Sequence, residues 1–340
     1  MSVVRPFPAR VVRPEWASRL VSGLSELPED TGTLPAVAPV DPAAYEEPEV
    51  ALYVYRQGDH VGVVCEVDVR GFVDGRVRGH EAVQAQRVDS LVKHMETDAA
   101  PALVALLHQA GPAYLRTVAE VTSAPPLLDF RGPAGLEQRV WRVSPGEATD
   151  VLAAELSAAE HYIADGHHRV AASLTAWQRT GEPAGVGVLC VVHPMDGLRL
   201  SAFHRRVLGP VDRAELVAVL DPAFVVEPVA AAPDLEPGSY GLYTEHHWHV
   251  VTPRSPGADL DVAVLTRLVL DRLPQSIEIA PARTAVDELT RRCDADGGAL
   301  FTLAPPPVED LTRLADAGAV LPPKTTYFEP KPCAGIFRRP

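Results

Sequence analysis

The 340-residue sequence is short of several things, and each shortage excludes a class of protein. Its four cysteines (Cys65, Cys190, Cys293, Cys333) stand far apart, with no Cys-x-x-Cys pair. That offers neither a disulfide framework nor a zinc ribbon and fits reduced thiols in a cytoplasm. No stretch approaches ~20 uninterrupted apolar residues, and the N-terminus lacks a signal-peptide core, so a soluble cytoplasmic protein with no membrane partner is expected. Basic residues are outnumbered: 31 Lys+Arg face 45 Asp+Glu, a formal net charge of -14. With no helix-turn-helix signal either, this argues against nucleic acid held by phosphate neutralisation. A small anionic ligand needs only local positive charge and is not excluded.

Apolar content of 46% and charged content of 22% are those of an ordinary globular chain, and 340 residues can bury one large core or two modest ones. Residues 1–50 read as an extended, proline-rich N-terminal segment with one strand and a short helix over Val11 to Leu20, then a connector from Pro28 to Pro48. Residues 51–207 read as a core, and 208–340 as an additional C-terminal αβ region whose tail returns to the site. The expected class is mixed α/β, of α+β type.

The most informative stretch is His161 to Arg169. Tyr162, Ile163 and Ala164 close a buried strand and Asp165-Gly166 turns. Val170, Ala171, Leu174 and Trp177 then recur at helical spacing. His167, His168 and Arg169 fall in the first helical turn, where backbone N–H groups lack partners and the dipole attracts anions. Cations are disfavoured there unless something negative sits opposite, so three basic groups imply an anionic ligand, phosphate or carboxylate. Asp165 could accept a proton or hold a divalent metal.

The pair His80-Glu81 precedes Val83, Val88, Leu91, Val92 and Met95, which support a helix; Arg87 could share the face of Glu81. Taken alone, Glu81 reads as a first-turn carboxylate favoured by the dipole. Leu103 to Leu107 predicts another helix. Ala51 to Arg56 and His60 to Val69 predict a hairpin, Pro125 to Phe130 and Gln138 to Val143 strands, and Ala148 to Ala159 a helix. Val186 to His193 predicts a buried strand that hairpins into Leu198 to Phe203 and ends at His204-Arg205-Arg206, a basic cluster that could join the anion site. The C-terminal region predicts helices over Arg213 to Leu220, Leu260 to Leu273, Thr284 to Arg292 and Val308 to Ala315. Its strands are Phe224 to Val229, Tyr240 to Tyr243 and Ala299 to Leu303. His246-His247-Trp248-His249 reads as an exposed hairpin strand, since no further ligand lies at metal spacing. In the stiff Leu321 to Pro332 segment, Lys324, Thr325, Thr326 and Lys331 carry donors suited to phosphate.

Three blocks in this order, His80-Glu81, Tyr162 to Arg169 and Pro322 to Lys331, resemble a bacterial and archaeal family known as domain of unknown function 1015. The likeness covers residues ~50 to 340, and its Asp-Gly-His-His-Arg block is specific. That block is also similar to a motif of free serine kinases of the ParB/sulfiredoxin-like fold, which phosphorylate free L-serine from a nucleotide with Mg²⁺. The resemblance implies a ParB/sulfiredoxin-like core with mixed sheets and ATP or ADP as cofactor with Mg. It implies a hydroxy amino acid as acceptor, catalysis by Glu81 (general base), Asp165 (metal or hydroxyl activation) and His167, and phosphate binding by His80, Arg87, Gly166, His167, His168, Arg169, Arg205, Lys324, Thr325 and Lys331. An oligomer is compatible with it. Two features depart from the family: no Pro-Pro-Tyr-Asp block lies within residues 20–50, and Val83 stands where Thr is favoured. Two other classes remain open at this stage: a metal-dependent hydrolase or phosphatase using His80, Glu81, His167 and His168 as ligands, and a non-catalytic nucleotide-binding switch.

Overall fold

The computed structural model describes residues 3–23, 41–95, 102–255, 257, 259–321 and 324–340. Most of the Pro28 to Pro48 connector, and Pro322-Pro323, lie outside them. The chain divides into two compact units, one of Met1–Arg199, Ala315–Val320 and Pro330–Pro340, the other of Leu200–Leu314 and Leu321–Glu329. The class is mixed, α+β, as the alternation of periods in the sequence requires.

The first unit is built on a mixed sheet, eleven-stranded among the described residues. Its hairpin, Glu49–Gln57 against His60–Asp68, turns at Gly58 and Asp59. From it the sheet continues through Gly187–Pro194, Val104–His108 and His161–Asp165 to the short edge strand Val77–Arg78. Leu103 to Leu107 is therefore strand, not helix. The Val104–His108 strand is buried along its whole length between two neighbours, so it lacks the polar alternation of a half-exposed strand. Helices Pro112–Thr122 and Glu147–Ala158 pack Tyr114, Leu152 and Leu156 into the same core as Leu52, Val54, Leu106, Trp141, Ile163 and Val170. Each such side chain, fully buried, contributes about 2 kcal/mol.

Helices Ala85–Met95 and His167–Arg179 pack on one another through Val88, Val92 and Ala172, a separate small cluster. This contact sets the segment carrying His80-Glu81 beside the start of the second helix.

The second unit holds a six-stranded antiparallel sheet among its described residues, ordered Phe224–Val229, His247–Pro253, Tyr240–Thr244, Ala299–Leu303, Arg205–Val207, Ile277–Ile279. Helix Val286–Asp296 covers Tyr243, Ala280 and Leu300 through Leu289 and Cys293. His247 and His249 lie on the expected hairpin strand. The strand Arg199–Ala202 pairs with Thr326–Glu329 rather than folding back on Gly187–Pro194, which corrects the predicted hairpin.

Candidate functional site

The strand His161–Asp165 carries Asp165 at its own C-terminal end, opposite Ala105 of the antiparallel neighbour, where the register shifts by a bulge. Gly166 follows at φ 108°, a left-handed conformation. A Cβ there would come within 3.0–3.2 Å of the Arg169 guanidinium, so this turn demands glycine. The helix His167–Arg179 then begins with no side chain capping it and no acidic residue in its first turn. An uncapped helix start presents N–H donors and the positive end of the dipole.

Arg169 folds back on Asp165. Its guanidinium donates to Asp165 Oδ2 and to the carbonyl oxygen of Leu103. Asp165 Oδ1 lies 3.3 Å from Lys331 Nζ, which the C-terminal tail brings to the site. Burial alone raises the Asp165 pKa, but Arg169 and Lys331 outweigh it and hold the carboxyl below its ordinary value. Asp165 is an ionised acid clamped between two cations.

The two histidines do not behave as the sequence suggests. His167 is buried, its Nε2 3.3 Å from the backbone N–H of His80 and its Nδ1 3.4 Å from Glu81 Oε2. His168 Nε2 accepts the backbone N–H of Gln84 at 3.1 Å. An amide N–H can only donate, so both Nε2 atoms are unprotonated acceptors. Desolvation, helped by His80, pushes the His167 pKa down to about 3, while His168 is lowered by desolvation and by Arg87. His80, its ring edge-on to His167 with centroids 4.7 Å apart, is lowered by burial to about 4. All three are neutral at pH 7. The conflict between cations and helix dipole is thus relieved by loss of the imidazole protons. His80, His167 and His168 add no positive charge for a phosphate; of the three basic groups expected in a row, His167, His168 and Arg169, only Arg169 is a cation.

Other expected residues are placed as follows. Glu81 precedes the helix, which starts at Ala85, so the shared helical face with Arg87 does not arise. Arg87 lies in that helix's first turn, near enough to His168 to lower its pKa. Arg205, Lys324 and Thr325 belong to the second unit. There Arg205 is buried and donates to the carbonyls of Phe203, His204 and Lys324; desolvation lowers its pKa to about 10.

Asp165 does not fit the expected magnesium. Both of its oxygens already face protein cations, and a dication would have to displace one and sit beside the other. Nor do His80, Glu81, His167 and His168 make the metal centre of a hydrolase: two of the rings accept backbone N–H bonds, and among the described residues no group of three His, Cys, Asp or Glu is arranged to hold a metal ion. Two participants were missed in the sequence, Gly79 and Gln84. A Cβ on Gly79 would stand 3.1 Å from His167 Cδ2 and 3.3 Å from Ile163 Cδ1, so glycine lets the backbone lie on the ring. Gly79 immediately before His80-Glu81 was the available signal.

A family model described as "Protein of unknown function (DUF1015)" matches residues 44–276. A search of curated proteins finds no match. Among solved structures, a free serine kinase variant in complex with AMP is similar over 83% of this chain and 93% of its own, at 13% identity and a TM-score of 0.43. Another variant of a free serine kinase, in complex with ADP, is similar over 82% and 93%, at 14% and 0.43. SbnI with a C-terminal truncation, from Staphylococcus aureus, is similar over 81% and 87%, at 12% and 0.43.

Proposed function

We propose, from the premise that the chain belongs to the DUF1015 family, that it is a cytoplasmic nucleotide-dependent phosphotransferase with a ParB/sulfiredoxin-like core. It phosphorylates the hydroxyl of a free amino acid, L-serine first among candidates, with ATP or ADP as donor. The observation that carries this reading is the juxtaposition of an uncapped helix start with a carboxylate held against its first residue, Glu81 3.4 Å from His167. Phosphoryl transfer asks for those two things, a cradle for phosphate charge and a base for the attacking hydroxyl. The resemblance of the Asp-Gly-His-His-Arg block to a free serine kinase motif supports the same choice.

In this reading the first-turn N–H groups receive the phosphate oxygens, with Lys331 beside them. Arg169 is occupied in holding Asp165, and the pair shapes the turn. Glu81, whose side chain keeps 28% exposure, takes the proton from the acceptor hydroxyl. The hydroxyl oxygen bonds to the terminal phosphorus as the bond to the nucleotide breaks, and the shortened nucleotide leaves with the electron pair. Asp165, taken by two protein cations, is assigned no magnesium ion.

Incubating the protein with magnesium, ATP or ADP and a panel of hydroxy amino acids, with detection by mass, tests this. A phosphorylated amino acid is expected. Hydrolysis of the nucleotide without an acceptor product, or no consumption of either nucleotide, overturns it.

A further inference from the structure

The consecutive histidines of the Asp-Gly-His-His-Arg block fasten the segment that carries Glu81. Each uses Nε2 to accept one backbone N–H, from His80 at 3.3 Å and from Gln84 at 3.1 Å, so the two bonds bracket Glu81. Gly79 lets the same backbone approach the His167 ring, and the His80 ring stacks edge-on against it. With Nε2 occupied as an acceptor, a neutral His167 carries its proton on Nδ1, the atom facing Glu81 Oε2 at 3.4 Å.

We infer that His167 is a positioning residue, a tautomer-locked neutral donor that aims Glu81 and keeps it ionised, and is not a phosphate ligand. The inference rests on the proposed phosphotransferase reading for its kinetic consequence but not for its structural content. Burial supports the neutral form, since desolvation disfavours the imidazolium. The groups around the ring agree: His80 and His168 are themselves neutral, and, besides Glu81 itself, the charges that act on the ring, Asp165 and Arg169, are already paired with one another. A cationic His167 would hold Glu81 more tightly, yet it would also compete with the substrate hydroxyl as the source of the proton. A neutral donor steers the carboxylate without offering a competing acidic proton.

Two substitutions separate the two nitrogens. His167→Asn keeps an amide donor where Nδ1 stands and loses the acceptor at Nε2; His167→Gln does the reverse. Kinetics against pH should show His167→Gln lowering kcat by about tenfold, as loss of the Nδ1 donor beside a charged group implies, with the acidic limb moved to higher pH and nucleotide Kd unchanged. His167→Asn should recover most of kcat and restore the limb. A raised nucleotide Kd with an unmoved limb would make His167 a phosphate ligand and overturn the inference.

Nitrogen-15 spectra of labelled histidine in the unmodified protein decide the matter without turnover. A neutral, Nδ1-protonated His167 from pH 8 to pH 5, with Nδ1 perturbed in Glu81→Gln, is expected. An Nε2-protonated ring, or titration near the ordinary histidine value, overturns it. If no acceptor is phosphorylated but this signature is present, the phosphotransferase reading falls and the positioning role stands.

Discussion

At the scale of single residues, Gly166 and Asp165 make the sharpest demands. Gly166→Ala places a Cβ at φ 108° within 3.2 Å of the Arg169 guanidinium, and should cost about 1–3 kcal/mol in unfolding experiments. An unchanged denaturation midpoint would show that the turn tolerates a side chain. Asp165→Asn leaves Arg169 and Lys331 facing a neutral amide. Because the Asp165 side chain keeps 21% exposure, solvent offsets part of the loss, and a destabilisation of about 1–3 kcal/mol is expected. What the sequence offered here was the identity of the residues and their order. What it concealed was protonation: His167 and His168 look like cations until burial is known. The partnership of Asp165 with Lys331, remote in sequence, was equally hidden, since no local pattern encodes it.

At the scale of elements, the strand-turn-helix over His161–Arg179 was legible because the apolar period changes across an Asp-Gly pair, and both elements form where that change predicts. The strand Val104–His108 was not, because a five-residue apolar run buried on both faces carries no period at all. The helix Pro112–Thr122 went unread although Tyr114, Val118 and Val121 recur at helical spacing behind a proline. The pairing of Arg199–Ala202 with Thr326–Glu329 joins segments remote in sequence, which turn chemistry cannot foresee. The helix pair around the site gives a prediction of its own. Ala172 is fully buried against Val88 and Val92, so Ala172→Leu should force helix Ala85–Met95 outward at a cost of about 1–3 kcal/mol. Hydrogen exchange should then quicken in residues 85–95 and leave the central strands protected; uniform protection would contradict the packing.

At the scale of the whole molecule, no described helix is long and apolar enough to cross a membrane. The protein's response to pH follows from its buried histidines. His80, His108 and His193 are pushed down to about 4 and His167 to about 3, in each case by desolvation first. Their unfolded value is ~6.5, so between there and pH ~4 the unfolded chain binds more protons and stability must rise with pH, levelling off above ~6.5. Each such group costs on the order of 2 kcal/mol on going from neutrality to pH 5. The melting temperature should therefore fall steeply between pH 7 and pH 5; a flat profile would mean that these rings ionise freely in the fold. Asp165 acts in a lower window, its depressed pKa supporting the fold above the ordinary carboxylate range and failing as pH falls further. His108 offers a control away from the site, at the end of its strand that pairs with His161 rather than with Asp165. Both of its ring nitrogens lack partners while it lies edge-on to Tyr114. His108→Phe keeps that ring contact and should reduce the pH slope of stability by about 1.4 kcal/mol per pH unit below ~6.5.

The central claim, that the start of the His167–Arg179 helix holds phosphate while Glu81 serves as base, is tested most directly by measuring two quantities on one variant. Calorimetric nucleotide affinity and rate of phosphoryl transfer are compared between the natural chain and Glu81→Gln. The account predicts affinity within about twofold and a rate lower by about 10²-fold or more. Transfer at an undiminished rate, or loss of nucleotide binding together with activity, would contradict it.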